Sequence, residues 1–219
     1  MVLRISRQQR RTHRYLYALT AVCFSGKFAY YYAINQRYGF KKREMRKTLE
    51  QWDVSDHESM RRVLDWLIDA GRKEEFSQLQ NQLTIFSEDN RQPGIHSLPD
   101  DGELKKQADF TNQYFRRVSP QNIAAFDYAF CIVLSRFGWK VGYLDSEEAY
   151  DYMLKAARLA QSSYSSWLEY ITAYTIGVQF VDSAQLKNPQ YIMVQEPAII
   201  KLLSSRHSPF QKVKWDTKI

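Results

Sequence analysis

The sequence has few of the residues that form reactive or metal-binding sites. Its 219 residues include only two cysteines and four histidines. No C-x-x-C pair occurs, so thiolate zinc sites and dithiol redox chemistry have no support. His13, His57, His96 and His207 are scattered along the chain, and none has a partner at metal-ligand spacing. We therefore predict no metal site and no cofactor.

Motifs of other enzyme classes are missing as well. The sequence contains no G-x-S-x-G nucleophile turn, no phosphate-binding loop and no dinucleotide fingerprint. It also lacks an uninterrupted apolar stretch near the roughly 18–20 residues that span a membrane. The apolar run at 15–24 has no small-x-small cleavage site, which argues against a secretion signal. Cys23 and Cys131 lie in apolar stretches and are predicted to be buried free thiols, so we expect a cytoplasmic protein.

The composition predicts a folded, helical protein. Apolar residues make up 44 % of the chain and aromatic residues 15 %, which is enough for a substantial core. Residues 119–183 have the pattern of three consecutive helices, and Asp127 is the one charged residue between 123 and 134. A helix that is apolar all round belongs in the middle of a fold. We predict a compact all-α domain of about eight to ten helices around a central helix near 120–137.

The predicted organisation has three parts. Residues 1–14 are a basic N-terminal extension. Residues 15–183 form a single helical domain, which begins with a helix over 15–40 and contains a long loop at 87–102, where two prolines interrupt a stretch without periodicity. Residues 184–219 are a C-terminal extension that docks on the domain, because Trp215 lies so near its end.

Positive charge is concentrated at the N-terminal end. Residues 1–50 hold twelve Lys or Arg and two Glu, whereas the rest of the chain carries a net charge of −3 out of the total +7. This asymmetry predicts an acidic partner for the N-terminal end. The candidate partner-binding residues are Arg4, Arg7, Arg11, Arg14, Lys41, Lys42, Arg43, Arg46 and Lys47.

Three functions are compatible with these residues. The leading hypothesis is a non-enzymatic bacterial interaction protein, regulatory or of an immunity type, that binds an acidic protein partner through the basic N-terminal surface. The first alternative is a nucleic-acid-binding protein that uses the cations of Arg4–Arg14 and Lys41–Lys47. The second alternative is an uncharacterised enzyme with a site near Asp127.

Asp127 is costly inside an apolar helix unless it is paired. Arg136 is nine residues further along the same helix and on its opposite side, so it is not a local partner. We expect Arg158, a tyrosine hydroxyl or a tryptophan N–H to pair with Asp127. Asp127, Arg136 and Arg158 thus form a candidate buried polar site, either a structural hydrogen bond or a general acid or base with a raised pKa.

Two blocks of the sequence resemble a bacterial family known as domain of unknown function 1266. The first block holds Trp52-Asp-Val-Ser-Asp-His-Glu-Ser59, Leu64-Asp-Trp-Leu67 and Gly71. The second block holds Ala125-Phe-Asp127, Ser135-Arg-Phe-Gly138, Gly142-Tyr-Leu-Asp-Ser-Glu-Glu-Ala149, Ala156-Ala-Arg158, Tyr164-Ser-Ser-Trp167 and Tyr174-x-x-Gly177.

The resemblance covers about residues 15–183. It implies a compact, mostly helical bacterial protein, and it implies no reaction. The sequence departs from the family pattern at Phe130, where the family favours an arginine three residues after the aspartate. Such an arginine would neutralise the acid locally, so in this chain Asp127 requires another partner.

Overall fold

The computed structural model describes residues 6–23, 41–99, 102–118, 122–183 and 196–219. In these ranges it contains helices and no strands, which confirms the predicted all-α class. The α-helices are α1 Arg7–Leu19, α2 Lys42–Glu50, α3 His57–Asp69, α4 Gly71–Leu83, α5 Glu88–His96, α6 Glu103–Tyr114, α7 Ala124–Val141, α8 Ser146–Ser163, α9 Trp167–Ser183, α10 Glu196–Ser204 and the short α11 Pro209–Lys212. A 3-10 turn, Ala21–Cys23, follows α1. None of the helices described is long and apolar enough to cross a bilayer.

Helix α7 lies at the centre of the fold, as predicted. Residues 124–135 are all buried, because apolar side chains surround the helix and must find partners on every side. The helix packs against α2, α3, α4, α8, α9 and the 3-10 turn. It ends later than the predicted residue 137, since Gly142 provides the left-handed cap (φ 93°), while Gly138 lies inside the helix.

Helix α8 begins at a strong local signal. The Asp145 carboxylate accepts hydrogen bonds from the amides of Glu147 and Glu148, at 2.9 and 2.8 Å.

Helix α9 lies close to α7 at Gly177, where an added Cβ would be only 2.7 Å from Cβ of Phe126. The glycine therefore allows the two helices to approach each other.

The prediction of a long loop at 87–102 is wrong. Residues 88–96 form α5, with Pro93 inside the helix. Ile95 is buried against Leu83 and Ala108, and the Arg91 guanidinium lies 3.9 Å from the centre of the Phe115 ring. These tertiary contacts offset the hydrogen bond that the proline cannot make.

The predicted boundary between an extension at 1–14 and a domain that begins at residue 15 also needs correction. Residues 7–14 are the first part of α1, and Thr12 is buried together with Tyr15 and Leu16. The helix ends at Leu19 rather than continuing to residue 40, and residues 24–40 lie outside the described ranges. Helix α1 is thus one amphipathic element whose inner face belongs to the core.

The end of the chain packs on the domain through Trp215. Its indole ring lies 4.8 Å from the ring of Trp167 and 5.7 Å from that of Tyr170, measured between centroids. Its N–H donates to the Tyr164 carbonyl at 2.9 Å. The side-chain amide of Gln161 donates to the carbonyls of Trp215 and Thr217, both at 2.9 Å. These contacts hold residues 213–219, here called the tail, against α8 and α9.

Candidate functional site

Asp127 caps another helix. Helix α4 starts after Ala70, whose side chain offers no cap. The Asp127 carboxylate on α7 accepts hydrogen bonds from the amides of Arg72 (2.8 Å) and Lys73 (2.9 Å) instead. Gly71 has a left-handed φ of 64°, and a Cβ at this position would overlap the carboxyl group. Position 71 requires glycine for two reasons: the backbone is left-handed there, and Asp127 occupies the space that a side chain would need.

The electrostatics of Asp127 reflect complete burial. Burial raises its pKa to about 7, while the Lys73 ammonium group, 4.0 Å away, and the two amides act in the opposite direction. Burial likewise lowers the pKa of Lys73. The Lys73 ammonium also donates to the carbonyls of Leu67 and Ile68 at 3.0 Å. Asp127 and Lys73 therefore join the end of α3, the start of α4 and the first turn of α7.

The structure does not give Asp127 the predicted side-chain partners. Its hydrogen-bond donors are backbone amides, and Arg158 is exposed on α8. The Arg136 guanidinium lies 4.2 Å from the centre of the Tyr17 ring on α1, whereas Asp127 faces α4. The three residues of the candidate buried polar site thus contact different elements. The sequence signal that was missed is the uncapped Ala70-Gly71 junction between two helices.

The predicted basic surface separates into two parts. Arg7, Arg11 and Arg14 are exposed on α1, and Arg4 lies outside the described residues. Lys41, which precedes α2, and Lys42, Arg43, Arg46 and Lys47 on α2 are exposed as well. Helix α2 packs on α7, whereas α1 packs on α8 and α11. The two groups of cations are therefore carried by different parts of the fold.

The tail adds lysines to the α1 arginines. A groove of about 530 Å³ lies between α1 and the tail, and we call it the basic cleft. Its lining consists of Gln8, Arg11, Arg14, Lys212, Val213, Lys214, Asp216, Thr217 and Lys218. Lys214 and Lys218 lie in the tail, whereas Lys212 ends α11. None of the three was predicted, because the approach of the tail to α1 depends on a tertiary contact, the docking of Trp215.

The tail side of the basic cleft is held in place by hydrogen bonds. The Gln8 side chain donates to the Lys218 carbonyl at 2.6 Å, and the Trp167 N–H donates to the Val213 carbonyl at 2.7 Å. The cations are thus presented on fixed backbone rather than on a free end.

A second charged groove, of about 480 Å³, lies between α3 and α8 and is rich in carboxylates. Several of them have partners. Glu148 is paired with His57 (3.1 Å) and Arg61 (3.5 Å), and Asp65 accepts a 2.7 Å hydrogen bond from the Tyr152 hydroxyl. Burial is the main reason that the Tyr152 pKa rises to about 12. In the part of the chain that the structure describes, no group of three or more His, Cys, Asp or Glu side chains is placed to hold a metal ion.

Comparison with known proteins identifies the family alone. Neither the curated proteins nor the solved structures include a significant match to the chain. The family model described as "Protein of unknown function (DUF1266)" matches residues 49–215. This match begins later than the predicted resemblance over 15–183 and extends into the tail, so α1 lies outside it. Because the match covers well over half of the 219 residues, the chain belongs to the DUF1266 family.

Proposed function

We propose that the protein is a non-enzymatic interaction protein, regulatory or of an immunity type, that holds an acidic protein partner in the basic cleft. The observation that carries the proposal is the convergence of five cations on one groove. Arg11 and Arg14 from α1 meet three lysines from the far end of the chain, with Asp216 as the only acid in the described lining. Gathering like charges is unfavourable, and an anionic partner removes that cost.

The fixed backbone of the cleft favours binding. Gln8 and Gln161 both donate to carbonyls of the tail, so the lysines approach α1 before any partner arrives. A preorganised surface loses less conformational entropy on association than a flexible one. Arginine also suits carboxylates, because its planar guanidinium can donate two parallel hydrogen bonds to one carboxylate.

The lining favours an acidic protein over single-stranded nucleic acid. Nucleic-acid grooves of that kind combine cations with aromatic rings on which bases stack. The described lining of the basic cleft contains no aromatic side chain. Nucleic acid bound through phosphates is therefore the competing function, and salt dependence separates the two.

The proposed setting is the bacterial cytoplasm. Cys23 and Cys131 are free and fully buried, and burial raises the pKa of each thiol to about 12. Such thiols are small core residues without redox chemistry, as is usual in reducing compartments.

The test compares two charge reversals of equal size. One variant carries Arg11→Glu and Arg14→Glu in the basic cleft, and the control carries Lys42→Glu and Arg46→Glu on α2. Each variant and the unchanged protein are used to capture partners from native bacterial lysate, with and without nuclease, at low and moderate salt. We expect the unchanged protein and the α2 control to retain the same acidic protein, and the cleft variant to lose it.

Two results would overturn the proposal. Recovery of nucleic acid that is lost steeply as salt rises would assign the cations to phosphates, because binding then releases counterions. Equal loss of the partner in both variants would show that net charge, rather than the basic cleft, attracts it.

A further inference from the structure

Helix α1 has a second groove on its other flank. Gln9 and His13 face this groove, whereas Gln8, Arg11 and Arg14 face the basic cleft. The opposite wall comes from Trp139 at the end of α7 and from Tyr150 and Met153 on α8. The groove has a volume of about 320 Å³, and we call it the apolar groove.

The lining of the apolar groove is aromatic and open to solvent. Trp139 is 43 % exposed, and the Lys140 ammonium lies 4.0 Å from the centre of its ring. The ring of His13 lies 5.6 Å from that of Tyr150, and burial together with Arg136 lowers the His13 pKa, which favours the neutral imidazole. An open aromatic pocket of this kind suits one large apolar side chain of a partner.

The two grooves are close enough for one short ligand. They lie on opposite flanks of a single helix, and an α-helix with its side chains is about 10–12 Å wide. About three to four residues of extended chain cover that distance. Arg7 and Arg10 are exposed on the helix surface between the grooves, as the helical period requires. A chain that crosses α1 from the basic cleft therefore passes these two arginines before it reaches the apolar groove.

From this juxtaposition we infer that the partner binds through a short acidic segment that crosses α1 and places a large apolar side chain, aromatic or aliphatic, in the apolar groove. The inference rests on the proposed function and adds the chemistry of the partner. Charge complementarity selects the acidic residues, and the open pocket beside Trp139 selects the anchor.

Glu147 determines on which side of the anchor residue the acidic residues of the segment lie. Glu147, in the first turn of α8, lines both the apolar groove and the carboxylate-rich groove between α3 and α8, and its carboxylate repels other carboxylates. The acidic residues of the ligand therefore lie on the α1 side of the anchor, so the anchor is at one end of the segment.

The experiment uses two synthetic peptides of about eight residues that differ at one position. Both are rich in Glu and Asp; one carries a terminal Phe and the other an Ala at the same position. Affinities are measured by fluorescence anisotropy for the full-length protein, for Trp139→Ser and for Leu168→Ser. Leu168 is 61 % exposed on α9 and does not line the groove, so its variant is a matched control for loss of an exposed apolar side chain.

We expect the Phe peptide to bind the full-length protein about tenfold more tightly than the Ala peptide. The difference should disappear in Trp139→Ser and persist in Leu168→Ser. Equal binding of both peptides to the full-length protein would refute the claim that an apolar anchor residue contributes to binding, and it would leave the proposed function standing. If the Phe peptide still binds Trp139→Ser more tightly than the Ala peptide does, the anchor residue does not occupy the apolar groove.

Two further results separate this inference from the proposed function. If neither peptide binds, both the inference and the proposed function are wrong. If the protein self-associates and Trp139→Ser abolishes the association, the groove receives a second copy of this chain and the anchor inference is wrong. Because the comparison of the two peptides needs only the unchanged protein, the test stands even if a variant fails to fold.

Discussion

The carboxyl group of Asp127 occupies the space that a side chain at position 71 would fill. Gly71 and Asp127 are 56 positions apart in the sequence, yet each residue requires the other. Without Asp127 the first amides of α4 have no cap, and with any other residue in place of Gly71 the carboxyl group is displaced.

Replacement of Gly71 by Ala should therefore be costly. The variant adds backbone strain at a positive φ and an overlap with a fully buried group, so we expect a loss of about 2–4 kcal/mol in the free energy of unfolding. Gly142→Ala is the matched control, because Gly142 also has a positive φ but no atom within 4 Å of the added Cβ. That control should lose only about 1 kcal/mol. Urea unfolding measures both values, and equal losses would contradict the role of Asp127.

The pH dependence of stability should report on Asp127. Its pKa of about 7 in the folded protein is higher than the unfolded value of about 3.9, so the folded state binds the proton more tightly. The resulting stabilisation is fully present below about pH 4 and is lost as the pH rises through about 7. Asp127→Asn removes the titration. The free energy of unfolding of the unchanged protein should thus fall over this range relative to the variant, and a flat difference would refute the raised pKa.

Trp215 should link the stability of the fold to the basic cleft. Trp215→Ala removes the contacts with Trp167 and Tyr170 and the hydrogen bond to the Tyr164 carbonyl. Because the indole is only partly buried, we expect a loss of about 2–4 kcal/mol, less than the roughly 3–5 kcal/mol for fully buried large aromatic residues. Binding of an acidic peptide should weaken as well, since the tail lysines lose their position.

A lysine variant provides the control for that experiment. Lys214→Ala should weaken peptide binding and leave the melting temperature unchanged, because Lys214 is exposed. If Trp215→Ala leaves peptide affinity intact, the docked tail is not required for the cleft.

Replacement of Gly177 by Ala tests the approach of α9 to α7. The added methyl group would meet the Phe126 side chain at 2.7 Å, so one of the two helices must shift. Overpacking of this kind costs about 1–3 kcal/mol. Thermal unfolding measures the loss. Phe126→Leu should not recover it, because leucine keeps the Cβ atom that the added methyl group meets.

Local signals in the sequence explain which elements were predictable. Helices α8 and α9 begin where Asp145 and Ser166 predict, because an N-cap is encoded within a few residues. The position of α7 follows from its apolar circumference. Helix α5 was missed because Pro93 and Gly94 are local loop signals, whereas the burial of Ile95 that overrides them is a tertiary contact.

The sites were less predictable than the helices, because they depend on pairs that are distant in sequence. Asp127 stood out as a buried acid, but its donors are backbone amides more than fifty residues away. The local signal for these amides, the uncapped Ala70-Gly71 junction, does not indicate which residue caps them. The arginines of α1 were identified directly. Their lysine neighbours could not be, since Lys218 reaches Gln8 across 210 positions.

The buried and exposed faces of α1 have separate roles, and this separation affects how the helix can evolve. Thr12, Leu16 and Leu19 anchor the helix in the core, while the arginines that line or flank the cleft are all on its exposed side. The helix also lies outside the segment that the family model matches. Substitutions of these arginines can therefore alter the charge of the basic cleft with little penalty in folding, and under the proposed function the choice of partner and the stability of the fold can diversify independently.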